Sequence, residues 1–191
     1  MPGWPWVMVA VLAGALPALQ GCTPVVSGAA VGTGALIAED RRSSGTYIDD
    51  QGIELKAGNR IAEKYRDLHV NVTSFNRVAL LTGEVPNAET KADVGRMVLG
   101  VPGVRVVQNE LAIGPASSLT ARSSDSYVTS KVKTRFIEQG KFQVNHVKVV
   151  TEAGIVYLMG LVKKKEAADA AEIAATTAGV TRVVQVFEYI D

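Results

Sequence analysis

Tyr127, Lys131 and Arg135 stand four residues apart in the stretch "SDSYVTSKVKTRF". On a helix that spacing places an aromatic ring and two cations on one stripe. Lys133 adds a third cation, and no acidic residue occurs between Asp125 and Glu138. The chemistry open to such a stripe is non-covalent. A tyrosine ring is apolar and its hydroxyl is wet, which suits a membrane–water interface. Each cation near an anionic leaflet gains about 1 kcal/mol. Val128, Val132 and Phe136 recur on a second stripe and read as core. The competing reading of the first stripe is an ordinary solvated face.

Cys22 is the one cysteine of the chain. It follows "WPWVMVAVLAGALPALQG", an uncharged and mostly apolar stretch interrupted by Pro5 and Pro17. That stretch is short for a membrane span and reads as a secretory signal. "LQGC", Leu19 to Cys22, resembles the lipobox of bacterial lipoproteins, although Met1 to Trp6 carries no Lys or Arg. The resemblance implies a signal peptide over residues 1–21 and acyl chains on Cys22. Two or more buried chains anchor firmly where one is marginal. Thr23, not Asp, follows the cysteine, which favours the outer membrane and its periplasmic face.

Other chemistry finds little material. His69 and His146 have no further His or Cys to complete a metal site except Cys22, so no metal is expected. No nucleophile elbow, paired-carboxylate or triad spacing stands out, and the chain does not read as an enzyme. "VGTGA" lacks the context of a phosphate cradle. A formal net charge of +1 gives no global attraction to nucleic acid, and neither a small-molecule substrate nor a cofactor is expected beyond the acyl chains. With 47% apolar and 20% charged residues, the chain of 191 residues reads as globular.

The elements that must carry the stripe come from a duplication. "VNVTSFNRVALLTGEV" lies over "VKVVTEAGIVYLMGLV" without a gap, and "VPGVRVVQNELAI" matches "TAGVTRVVQVFEY". Each copy shows a helix (51–66; 126–138), then a strand pair (70–75 and 78–85; 146–151 and 155–162). An alanine-rich helix (88–100; 165–178) and a last strand (104–113; 181–190) follow. The fold class is α+β: two tandem α-β-β-α-β sandwiches, each a three-stranded mixed sheet packed on two helices, with a parallel crossover. Residues 22–48 read as the acylated N-terminus and a Gly/Ala/Ser tether, 49–114 as the first domain, 115–124 as linker and 125–191 as the second domain. Cores of about 65 residues are marginal, so the copies are expected to lean on each other or on the membrane.

"L-x-G" closing the second strand (Leu81-Thr82-Gly83 and Leu158-Met159-Gly160) and "GV" before the third resemble the BON domain, named for bacterial osmotic-shock and nodulation proteins. With the cysteine motif, the tether and "DRRSSGTYIDD", the chain resembles dual-BON outer-membrane lipoproteins over nearly its whole mature length. The resemblance implies a non-enzymatic periplasmic protein that binds anionic phospholipid through its second domain. It also implies support of outer-membrane integrity and a link to the division site.

The first copy serves as an internal control. It places Gly52, Lys56 and Arg60 where the second has Tyr127, Lys131 and Arg135, so it keeps the cations and lacks the ring. Glu54 and Glu63 stand nearby. Lys163, Lys164 and Lys165 replace Pro86, Asn87 and Ala88 and form a second basic patch. The phospholipid-binding candidates are therefore Tyr127, Lys131, Lys133 and Arg135, with an anionic phospholipid membrane as partner. The rival reading is a protein–protein adaptor docking on an envelope assembly machine, with third-strand edges open to strand addition.

Overall fold

The computed structural model describes residues 40–191. The signal segment 1–21, Cys22 and the tether as far as residue 39 lie outside the described residues. The first copy comprises α1 (Ser44–Lys64), β1 (His69–Phe75), β2 (Val78–Val85), α2 (Ala88–Leu99), β3 (Val106–Asn109) and β4 (Ala112–Ile113). The second comprises α3 (Leu119–Gln139), a 3-10 turn at Val144–His146, β5 (Val147–Glu152), β6 (Ile155–Val162), α4 (Lys164–Ala175) and β7 (Arg182–Tyr189). The two copies are α+β and each carries a mixed sheet.

Each strand pair is a tight antiparallel hairpin. Asn76 and Arg77 have φ of 50° and 64°, Ala153 and Gly154 of 50° and 73°. Positive φ at both central residues is the mirror-image turn whose twist matches the flanking strands. A carboxylate from the first helix of each copy holds that turn. Asp50 accepts the Asn76 and Arg77 amides at 2.8 and 2.7 Å; Asp125 accepts those of Ala153 and Gly154 at 2.9 and 2.8 Å. The crossover helices return the chain so that β3 runs parallel to β2 and β7 parallel to β6.

The structure departs from the sequence expectation in three places. The third strand of the first copy is broken: Leu111 turns inward and is buried, which separates β3 from β4. Helix α3 starts at Leu119, inside the 115–124 stretch read as linker, because Ser118 caps it by accepting the Ala121 amide at 3.2 Å. Likewise α1 starts at Ser44, inside the 22–48 stretch read as tether, with Ser43 accepting the Thr46 amide at 3.1 Å.

Three apolar clusters organise the packing. Ile53, Ala57, Leu81, Val94 and Val98 fill the space between sheet and helices in the first copy; Val132, Phe136, Leu158, Ala170 and Ile173 do so in the second. Alternate residues of the same strands point the other way. Phe75, Val78 and Leu80 of one sheet meet Tyr157 and Met159 of the other in a third core. The layers are helices, sheet, sheet, helices, and β2 is buried along its whole length. Of the two expected supports for a small core, the structure shows the copies leaning on each other.

The rim of this seam is polar. Lys148 reaches Glu54 at 2.7 Å, and Arg105 and Asn76 both hold Glu188. Arg42 lies 4.0 Å over the Phe75 ring and pairs with Asp50 at 2.8 Å, while its neighbour Arg41 crosses to the second copy. Arg41 grips the Glu166 carboxylate through two bonds of 2.6 and 2.8 Å and the Leu161 carbonyl at 2.8 Å. Adjacent arginines thus staple the two copies.

The staple makes a pH prediction. The Arg41 guanidinium holds the Glu166 carboxyl at about 2, against the upward push of partial burial and with help from the Lys163 amide. A depressed carboxylate pKa contributes stability that is full above the unfolded value and is lost as pH falls through the folded one. Glu166→Gln is therefore expected to lower stability by about 1–2 kcal/mol near neutral pH. Urea denaturation should show the difference between variant and wild type shrinking toward zero as pH falls from about 4.3 to about 2.

Candidate membrane interface

Helix α3 runs with Val128, Val132 and Phe136 buried against the sheet. With 3.6 residues per turn, the opposite side carries Leu119, Ser123, Tyr127, Ser130, Thr134 and Ile137. Leu119 is 78% exposed, Ile137 67% and Tyr127 66%. Three large apolar side chains and short hydroxyl residues thus face outward along one helix, whose single exposed acid, Glu138, stands in its last turn. Its buried acid, Asp125, is held by the hairpin turn.

The predicted residues do not all belong to this face. Lys131 lies beside Tyr127, its ammonium 5.3 Å from the ring centroid, and donates to the Ala178 carbonyl. Lys133 is exposed and, two residues on, flanks the opposite edge of the outward stripe. Arg135 turns inward. Its Nη1 donates to the Ile173 carbonyl at 2.9 Å and to the Thr176 and Thr177 hydroxyls at 3.1 and 2.8 Å, closing the C-terminal end of α4. A cation is favourable there because the last carbonyls of a helix are unsatisfied. Arg60 does the same in the first copy, donating to the Gly100 carbonyl at 2.9 Å. The arginine kept by both copies is the structural one.

Lys163, Lys164 and Lys165 stand at the start of α4. Lys141, just past the end of α3, reaches Asp169 and Glu172, so the start of α4 lies beyond that end. Tyr127 is in the other half of α3, and the triplet does not join it. Lys165 pairs with Asp169 at 2.7 Å, and the Lys164 amide donates to Asp191. In the first copy, the site over Gly52 is an open depression of about 480 Å³ lined by Ile48, Asp49, Lys56, Arg77, Pro102 and Gly103. There Asp49 and Arg77 pair at 2.6 Å, so an acid stands where the second copy has Ser124.

A second grouping lies on the seam and was not legible in the sequence. His69 opposes Glu84 across β1 and β2, and Nδ1 lies 2.9 Å from Glu84 Oε2 and 3.8 Å from Glu152 Oε1 of the second copy. Burial pushes the Glu84 carboxyl up, but His69 and the Ser117 amide outweigh it and hold it below the usual range.

The family marks are explained by backbone geometry. Gly83 has φ of +111°, and a Cβ there would stand 2.0 Å from the His69 carbonyl oxygen. At Gly160 a Cβ would stand 2.3 Å from the His146 carbonyl oxygen. The glycine of "L-x-G" lets the first strand pass this close, as the sequence reading of a structural glycine expects. The model of the BON domain matches residues 49–115 and 124–191. The chain belongs to the BON family. This BON protein is 39% identical to the outer membrane lipoprotein DolP of Haemophilus influenzae, over 98% of each chain. It is 30% identical to a 21 kDa hemolysin of Actinobacillus pleuropneumoniae, over 79% of each. It is 28% identical to the osmotically-inducible protein Y of Escherichia coli, over 73% of this chain and 72% of that one. Likeness along nearly the full length of the Haemophilus protein, together with the cysteine motif, makes this a lipid-anchored BON lipoprotein of the outer membrane. None of the three relatives bears the name of an enzyme.

Proposed function

We propose that this lipoprotein binds anionic phospholipid through helix α3 of its second BON domain, without catalysis, and thereby supports outer-membrane integrity. The observation that carries the reading is the outward face of α3. Leu119, Tyr127 and Ile137 stand exposed on it, with Lys131 and Lys133 along its two edges. An interfacial helix lays apolar side chains among headgroups while flanking cations meet phosphate. Arg135 is left out of the interface because its donors are engaged at α4. The link to the division site rests on the family resemblance alone.

The test uses the chain of residues 23–191, so that neither the signal segment nor acyl chains mask binding by the domain. It should sediment with vesicles rich in anionic phospholipid and not with phosphatidylcholine alone. Tyr127→Ala should weaken binding about tenfold, since a half-inserted ring forfeits about 1.4 kcal/mol of apolar burial. Lys133→Gln should weaken it roughly fivefold and flatten its salt dependence. Unchanged binding by a folded Tyr127→Ala variant would remove the basis of the reading and leave the protein adaptor in its place.

A further inference from the structure

The seam between the two copies contains an imbalance of charge. Three carboxylates that cross it are each met by a strong cation: Glu54 by Lys148, Glu166 by Arg41 and Glu188 by Arg105. Glu84 and Glu152 are different. Among the described residues, the only basic group within salt-bridge distance of either is the His69 imidazole. The three side chains are only 13%, 10% and 9% exposed for His69, Glu84 and Glu152 respectively. Even a protonated imidazole would leave one negative charge over, on side chains that are themselves largely covered.

We propose that His69, Glu84 and Glu152 form a divalent transition-metal site that ties the two domains together. One nitrogen and two oxygens, one from each side chain, lie within 4.8 Å of one another. A zinc ion about 2.0–2.2 Å from each would set them roughly 3.2–3.6 Å apart. The His69–Glu84 pair, at 2.9 Å, therefore opens slightly and Glu152, at 3.8 Å from His69, closes in. An imidazole donor selects zinc-like ions over calcium and magnesium, which prefer all-oxygen sites. Two negative charges and a neutral imidazole then balance the ion.

The surroundings fit a ligand set with one position open. The site borders an open cavity of about 400 Å³ that is lined by His69, Asn71, Arg122, Thr129 and Glu152 among others, enough for entry and for water on the metal. Outer partners hold the carboxylates: Asn71 Nδ2 donates to Glu152 Oε2 at 3.0 Å, and the Ser117 amide to Glu84 Oε2 at 3.0 Å. Arg122 lines the cavity but spends its guanidinium on the Ser117 carbonyl and hydroxyl at 3.0 and 3.3 Å. Asn71 Nδ2 also lies 3.2 Å from His69 Nε2. His69 and Glu84 belong to the first copy and Glu152 to the second, so a bound ion adds its affinity to the docking of the domains. The duplication does not repeat the set: Leu161 and Lys148 stand at the places matching Glu84 and Asn71.

The test is a zinc titration of the untagged, full-length, acylated protein in detergent, competed against a chromophoric chelator. One equivalent of zinc should bind per chain, and saturation should raise the melting temperature by several degrees, with no shift from calcium. His69→Gln and Glu152→Gln should each weaken binding by more than about tenfold, while His146→Gln leaves it intact. Should His69→Gln fail to fold, Glu152→Gln decides, because its amide oxygen still accepts from Asn71. Absence of stoichiometric binding by the folded wild-type chain, or wild-type affinity in a folded His69→Gln or Glu152→Gln variant, overturns the proposal.

Discussion

Gly83→Ala lowers stability by about 4 kcal/mol, enough to leave a marginal protein largely unfolded at growth temperature. Two costs combine at this position. A φ of +111° is open to glycine and strained for any side chain, worth about 1–3 kcal/mol. The new methyl group would also stand 2.0 Å from the His69 carbonyl oxygen, so β1 must move away from β2. Gly160→Ala meets only the second cost, at 2.3 Å from the His146 carbonyl oxygen, and loses less, about 2–3 kcal/mol. Gly52→Ala has nothing within 4 Å and lies within a helix, so it gains up to about 1 kcal/mol. Urea denaturation of the three variants checks the order. A Gly83→Ala chain within about 1 kcal/mol of wild type would show that the close strand passage has been misjudged.

Leu80→Asp gives an effect of similar size for another reason. Leu80 is fully buried in the core between the two sheets, against Tyr157 and Met159. Losing its packing costs about 2–5 kcal/mol, and a carboxylate without a partner there adds a desolvation penalty. On an isolated domain the same residue would lie on a bare, wet sheet face, where aspartate is harmless. The variant therefore reads whether the two domains are joined in solution. A loss above about 4 kcal/mol is expected; a loss under about 1 kcal/mol would mean that the seam is open.

Much of the architecture was legible because the sequence states it twice. The hairpin turns, the crossover helices and the close strand passage at Gly83 and Gly160 follow from periodicity and from the aligned copies. The helix starts were missed because Ser43 and Ser118 look like tether and linker until their caps are seen. The break at Leu111 was missed because an inward turn within an alternating run changes no residue type. Arg135 was placed on the wrong face, although its match in Arg60 carried the correction: a residue kept by both copies serves what both copies share. Tyr127, present in one copy only, sits exposed as that logic requires. The seam grouping of His69, Glu84 and Glu152 was beyond reach, since the last two are remote in sequence and only the docking of the sheets brings them to one point.

The doubly buried strand β2 also bears on how the protein is made. A chain that emerges from its N-terminus completes the first domain while the strands of the second are still being supplied. During that interval Phe75, Val78 and Leu80 face water on a sheet whose other side is already packed. Such a half-molecule is both less stable and stickier than the finished one, so a populated intermediate with one domain folded is disfavoured. Unfolding of either domain strips the cover from its sister in the same way. The two copies are therefore expected to melt and refold as one cooperative unit, so that a fault in one is felt by the other.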